Sequence, residues 1–275
     1  MQEERAELAV HPCFGDRGHF LYGRIHLPVA PKCNISCRYC DRKFDCANES
    51  RPGVTSAVMD PLSAAERAEA VFREHPYMKV AGVAGPGEPL YNEETFSTLS
   101  MIRERVPDAV LCLSSNGLLV PERLRDIISV GVSALTVTVN CLDAGMAAEI
   151  YDDVFTGAGP GGRTERFGAF LEAQKRGVAL AAEAGIAVKV NTVLIPGIND
   201  GVIGDIARTV SCLGAYIMNI MPLIPCGKMS GSMPPDREML SLGRKEAGRY
   251  MRILSVCSQC RADACGIPGG KDSCL

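Results

Sequence analysis

An α/β fold of parallel βα units is what this sequence predicts, and three observations predict it. Apolar runs at 24–30, 77–84, 109–115, 132–140, 186–194 and 216–224 alternate with stretches of helical pattern, the order that builds a parallel sheet through right-handed crossovers. The unusual glycines, asparagines and cysteines fall just after those runs, where parallel α/β sheets bind their ligands. The 275 residues suffice for one full core. No boundary, repeat or low-complexity segment divides them, so 1–275 reads as one domain with a core at about 24–224 and extensions at 1–23 and 225–275.

In the first strand, Arg24 to Ala30, Ile25, Leu27 and Val29 share one face, with His26, Pro28 and Ala30 on the other. Pro61 opens a helix over 61–75, rich in alanine and charge. Further helices are expected near 92–105, 121–130, 143–151, 165–184, 200–213 and 234–255. Residues 1–23 lack clear periodicity, Pro52-Gly53 reads as a turn, and Gly157 to Gly162 reads as a loop over one end.

Composition narrows the class. A formal net charge of −3 and 22% charged residues leave no basic excess to suggest nucleic acid, and no apolar run reaches membrane-span length. The charged start MQEERAELAV lacks a signal-peptide apolar region, so a cytoplasmic protein is expected. In a reducing compartment, thirteen cysteines point to metal or redox chemistry before disulfides.

The chemistry centres on Pro31 to Cys40, PKCNISCRYC. Cys33, Cys37 and Cys40, spaced C-x3-C-x2-C, can hold three irons of a 4Fe–4S cube and leave the fourth open to a small-molecule ligand. Zinc sites are built instead from paired C-x2-C units. After the second run, Gly85 and Gly87 of GPGEP allow close backbone approach, and Glu88 can accept from a cationic amine. Asn116, Thr138 and Asn140 are either polar ligand contacts or strand-end caps. Cys112 shares a face with Ser114 and Asn116, and His26 faces away from the apolar ridge. At the C-terminus Cys257 and Cys260 form a metal-pair spacing. Either Cys13 of His11-Pro12-Cys13 joins them, which needs both chain ends at the carboxyl end of the strands, or they form a separate site with Cys265 and Cys274. Cys141, Cys212 and Cys226 carry no ligand role in this reading.

The triplet with Tyr39 before its last cysteine resembles the radical S-adenosylmethionine (SAM) superfamily, and GPGEP and IPGIND, with Ile195 against adenine, resemble its SAM-holding segments. HPC at 11–13, PKCNISCRYCDRKFDCANESRPGV at 31–54, AGPGEPL at 84–90, SSNG at 114–117 and CSQCRADACG at 257–266 together resemble the NifB family of nitrogenase cofactor biosynthesis. That resemblance implies a partial (βα)6 TIM-like barrel whose triplet holds a catalytic cluster and whose cofactor is SAM. It also implies two further 4Fe–4S clusters as substrates, fused around a SAM-derived carbide into an eight-iron precursor. His26, Cys46 and Cys112 would hold one substrate cluster, Cys13, Cys257 and Cys260 the other, with Glu49 and Arg51 near the reaction centre. Implied partners are a cluster donor, a separate cofactor carrier and a reductant such as ferredoxin or flavodoxin. Two other readings are a radical SAM maturase of a peptide or small molecule with auxiliary relay clusters, and an iron–sulfur carrier.

Overall fold

The computed structural model describes residues 6–41, 53–155, 162–257 and 260–269. Its strands are β1 (Gly23–His26), β2 (Ile35–Cys37), β3 (Met78–Val83), β4 (Val110–Ser115), β5 (Val132–Thr138), β6 (Tyr151–Val154), β7 (Ala187–Leu194), β8 (Ile217–Pro222) and β9 (Cys265–Gly266). The helices are α1 (Ala6–Ala9), α2 (Asp16–Leu21), α3 (Pro61–Glu74), α4 (Glu93–Arg105), α5 (Val120–Ser129), α6 (Ala144–Ile150), α7 (Arg163–Glu183), α8 (Ile203–Cys212) and α9 (Arg237–Ala247). The main sheet runs β8-β7-β5-β4-β3-β1-β9. Its first six members are mutually parallel and stand in chain order, while β9 closes the β1 edge antiparallel. Sequential parallel order around a curled, open sheet is the partial TIM-like barrel expected.

Period-two alternation explains which residues face where. Ile25, Leu111, Leu113, Leu135, Val137, Val188 and Val190 lie in the core that also includes Ala64, Ala68, Leu99, Ile127 and Val178 of the helices. The intervening His26, Cys112, Ser114, Thr136, Thr138, Lys189 and Asn191 line the barrel interior. Local signals set the helix starts: Asp60, Asp143 and Asp236 each accept the amide hydrogen three residues on, at 2.8–3.0 Å. Among the described residues no helix is long and apolar enough to cross a membrane.

Two expectations need correction. The helix expected over 234–255 stops at Ala247, because the following chain is recruited by the β8 edge, where Met218 N–H donates to Arg252 and Leu254 N–H to Met218. The chain ends, moreover, do not meet at the carboxyl ends of the strands. Leu8, Phe14 and Leu254 pack with Ala134, Ala187 and Ile217, residues at or near the starts of β5, β7 and β8, and Cys13 and Cys257 lie against that cluster. The small alanines leave room there for the extensions to plug the barrel from its amino end.

Candidate active site

One cavity of about 280 Å³ runs through the barrel, and its lining orders the cysteines along its depth. At the mouth stand Cys33, Cys37 and Cys40, beside Gly87, Glu88, Asn116 and Thr138. His26 and Cys112 occupy one row of the sheet, since His26 pairs with Gly82 and Gly82 with Cys112. Toward the amino end His11, Cys13 and Cys257 line the cavity, and Cys260 lines it within the field of Cys13 and Arg24. No disulfide joins the described cysteines.

The triplet loop is pinned from several directions. β2 pairs antiparallel with β6, Arg38 bridges Asp152 at 3.0 Å, and Asn92 and Glu88 both bind the backbone of Lys32. Tyr39 hydrogen-bonds Cys37 and accepts from Asn140 Nδ2 at 2.8 Å. Burial, and then the neighbouring Cys37, hold the Tyr39 phenol well above its ordinary pKa, so it remains a donor. Asn140 is fully engaged, binding both Tyr39 and Tyr151 and accepting from Val193 N–H. It therefore stands behind the cavity wall and supports Tyr39. Ile195 also lies behind the wall, packed with Ile35 and Val193.

Glu88 ties the second and third strand-end segments together. Its carboxylate accepts from Leu90 N–H (3.1 Å), Ser115 Oγ (2.7 Å) and Asn116 N–H (2.7 Å). Burial outweighs those donors and pushes its pKa up to about 7. Gly85 adopts φ +149°, a region that disfavours side chains, and Pro86 and Gly87 beyond it line the cavity. The Asn116 side chain is spent within the protein, donating to Asn34 Oδ1 and accepting from Leu118 N–H.

The two histidines are prepared oppositely. His26 Nδ1 faces the Arg261 carbonyl at 3.3 Å, which can only accept, so Nδ1 carries the hydrogen and Nε2 keeps a lone pair for a metal. Burial, helped by Arg24, lowers the His26 pKa to about 3, which keeps the ligating neutral form. His11 Nδ1 instead accepts from Cys13 N–H at 3.1 Å, so Nε2 carries the hydrogen and is a buried donor without a protein partner. Gly82 supplies space between His26 and Cys112: a Cβ there would collide with Cys112 Sγ.

These features fit iron–sulfur cubes. Among the described residues no three His, Cys, Asp or Glu side chains stand close enough to share one metal ion. A cube takes each protein ligand on a different iron, so its donors stand wider apart. Cys46, Glu49, Arg51 and Cys274 lie outside the described residues. Cys265 sits in β9 in the main core and Cys226 is buried; neither lines the cavity. Lys189 and Arg24, both buried beside the cysteines, are functional candidates that the apolar pattern did not single out. The signal for Lys189 was its parity: in AVKVNTVL it shares the inward face with Asn191.

Residues 27–210 match the radical SAM superfamily. The chain is 44% identical, over 95% of its length, to a Klebsiella pneumoniae protein named FeMo cofactor biosynthesis protein NifB, and covers 57% of that relative. It is 42% identical to a protein of the same name from Methanocaldococcus jannaschii, over 94% of this chain and 86% of the relative. The chain thus spans little more than half of the first relative and most of the second. Among solved structures, methylornithine synthase (PylB) shares the fold with a TM-score of 0.54 and 14% identity, over 88% of this chain and 75% of that one.

Proposed function

This chain belongs to the NifB family of the radical SAM superfamily, and from that premise we propose that it builds an iron–sulfur precursor of the nitrogenase cofactor from two substrate clusters. The observation that carries this reading is the cavity itself. Beyond the triplet it collects His26 and Cys112 in one row and Cys13, Cys257 and Cys260 at its floor, three sets of donors in a single space.

In this reading Cys33, Cys37 and Cys40 hold the catalytic cluster, and Tyr39 donates to Cys37 to tune it. A 4Fe–4S cluster held by those three cysteines would supply the electron for reductive cleavage of SAM. Gly85, Gly87 and Glu88 form the edge on which the amino group of SAM docks, with Thr138 opposite. Asn140 and Ile195 act from behind, through Tyr39 and the packing of the wall. His26 and Cys112, with Cys46, hold one substrate cluster, and Cys13, Cys257 and Cys260 hold the other. Few ligands per cluster suit a substrate that must leave as product, and imidazole is the more exchangeable anchor. Cluster donor, reductant and product carrier are partners of the same reading, and the carbon joining the clusters comes from the SAM methyl.

The test is anaerobic reconstitution followed by an iron count and assay of deoxyadenosine. Three clusters' worth of iron per chain is expected, with deoxyadenosine formation abolished in Cys37→Ala while the fold survives. Retained cleavage in that variant would sink the assignment of the triplet.

A further inference from the structure

Lys189 is a charge in an apolar strand. It is the third residue of β7, pairs with Thr136 on one side and Ile217 on the other, and projects into the cavity. Its relative exposure is only 5%. Among the described residues no carboxylate forms an ion pair with its ammonium, which lies 5.6 Å from the centre of the Phe14 ring. A buried ammonium without a counter-ion is costly. What surrounds it is thiols and imidazoles: Cys13, Cys112, Cys257 and Cys260, with His11 and His26 also within its field.

Two neighbours repeat the pattern. His11, 2% exposed, presents Nε2–H without a partner, and Arg24, 6% exposed, hydrogen-bonds Cys260 while its Nε has none. His11 and Lys189 therefore line one end of the cavity, with Arg24 beside it through Cys260 and through the Gly266 carbonyl, and among the described residues no carboxylate pairs with Lys189 or Arg24 there. An iron–sulfur cube held by thiolates would supply an anion there. Lys189 is also placed within reach of both ligand sets: it stands in the inward-facing row next to that of His26 and Cys112, and Cys13, Cys257 and Cys260 lie within the field of its ammonium together with Cys112.

We propose that Lys189 is the counter-ion shared by the two substrate clusters, a positioning residue that lets two anions lie side by side in the cavity. The inference rests on the two-cluster reading above. Clusters that must be joined have to approach closely in a low-dielectric space, where like charges repel most strongly. A fixed ammonium within the field of both offsets that repulsion and raises both potentials. It forms no bond to iron and lets the product leave.

The test compares Lys189→Met, Lys189→Arg and Cys13→Ala in the full chain, first metal-free and then after anaerobic reconstitution with iron and sulfide. Metal-free Lys189→Met should melt at or above the wild-type temperature, because an unpaired buried charge is gone. Reconstituted, it should lose about one cluster's worth of iron. Failing that, its non-triplet clusters should become at least tenfold harder to reduce at a given potential, 59 mV for one electron. Lys189→Arg should restore either property. Full iron with unchanged potentials in Lys189→Met overturns the proposal. So does a loss accompanied by a lower metal-free melting temperature, or one that arginine does not restore, since both mark a packing role. Cys13→Ala separates the two levels: iron lost there, with full iron and unchanged potentials in Lys189→Met, removes the proposal and leaves the two-cluster reading standing. No loss in Cys13→Ala removes the reading, and the proposal with it.

Discussion

Replacing Glu88 by glutamine should change how stability depends on pH, and the structure fixes both sign and size. The carboxyl pKa is about 7 in the folded chain against 4.5 as the ordinary value, with burial as the largest cause. Below pH 4.5 the group is protonated in both states, and its burial carries no ionic penalty. As pH rises from 4.5 to 7 the unfolded carboxyl ionises while the folded one resists, so stability is lost across that window and is level above it. A gap of 2.5 units corresponds to about 3 kcal/mol at 1.36 kcal/mol per unit. Glutamine abolishes that loss but turns an N–H toward one of the donors Leu90 N, Ser115 Oγ or Asn116 N, at a cost of about 1–3 kcal/mol. Glu88→Gln should therefore be the less stable protein at pH 5 and equal or more stable at pH 8. His26 and His11, whose pKa values burial depresses, act in the opposite direction: their contribution is present above pH 6.5 and lost below it. Both proteins share that term, so it cancels in the difference. Urea unfolding of the metal-free proteins under reducing conditions, from pH 5 to 8, measures it. Parallel curves for the two would refute the reasoning.

Other expectations follow from single contacts. Gly82→Ala should displace Cys112, because the new Cβ meets both Sγ and the carbonyl of Cys112; a cluster's worth of iron and about 1–3 kcal/mol of stability should be lost, and full iron would contradict it. Tyr39→Phe removes the donor on Cys37 and should move the catalytic cluster to a more negative potential in a redox titration, with Asn140→Ala doing the same more weakly. Cys13→Ala and Cys257→Ala should lose the same cluster by iron count and spectrum, and the double variant no more than either. Additive losses would mean separate sites.

The strands were legible because alternation in buried βα units is strong: five of the six runs end within two residues of the observed strands. The first run continues past β1 because Leu27 and Val29 stay buried without forming a ladder. What escaped was set by partners distant in sequence. β2 and β6 are three and four residues long and exist through each other, and β9 is two residues held by β1. The depth of the site escaped for the same reason, since only packing against Ala134 and Ala187 reveals that the extensions enter from the amino end. Cysteine spacing marks the candidate ligands, but spacing is blind to charge balance, and nothing in it points to Lys189 in its apolar strand.

The central claim is that SAM chemistry in this cavity acts on iron–sulfur substrates. Methyl-labelled SAM given to the reduced, reconstituted protein tests it most directly. The label should appear in an iron–sulfur species that leaves the protein and activates a nitrogenase lacking its cofactor. Deoxyadenosine formed while the released iron–sulfur species carries no label would contradict the claim.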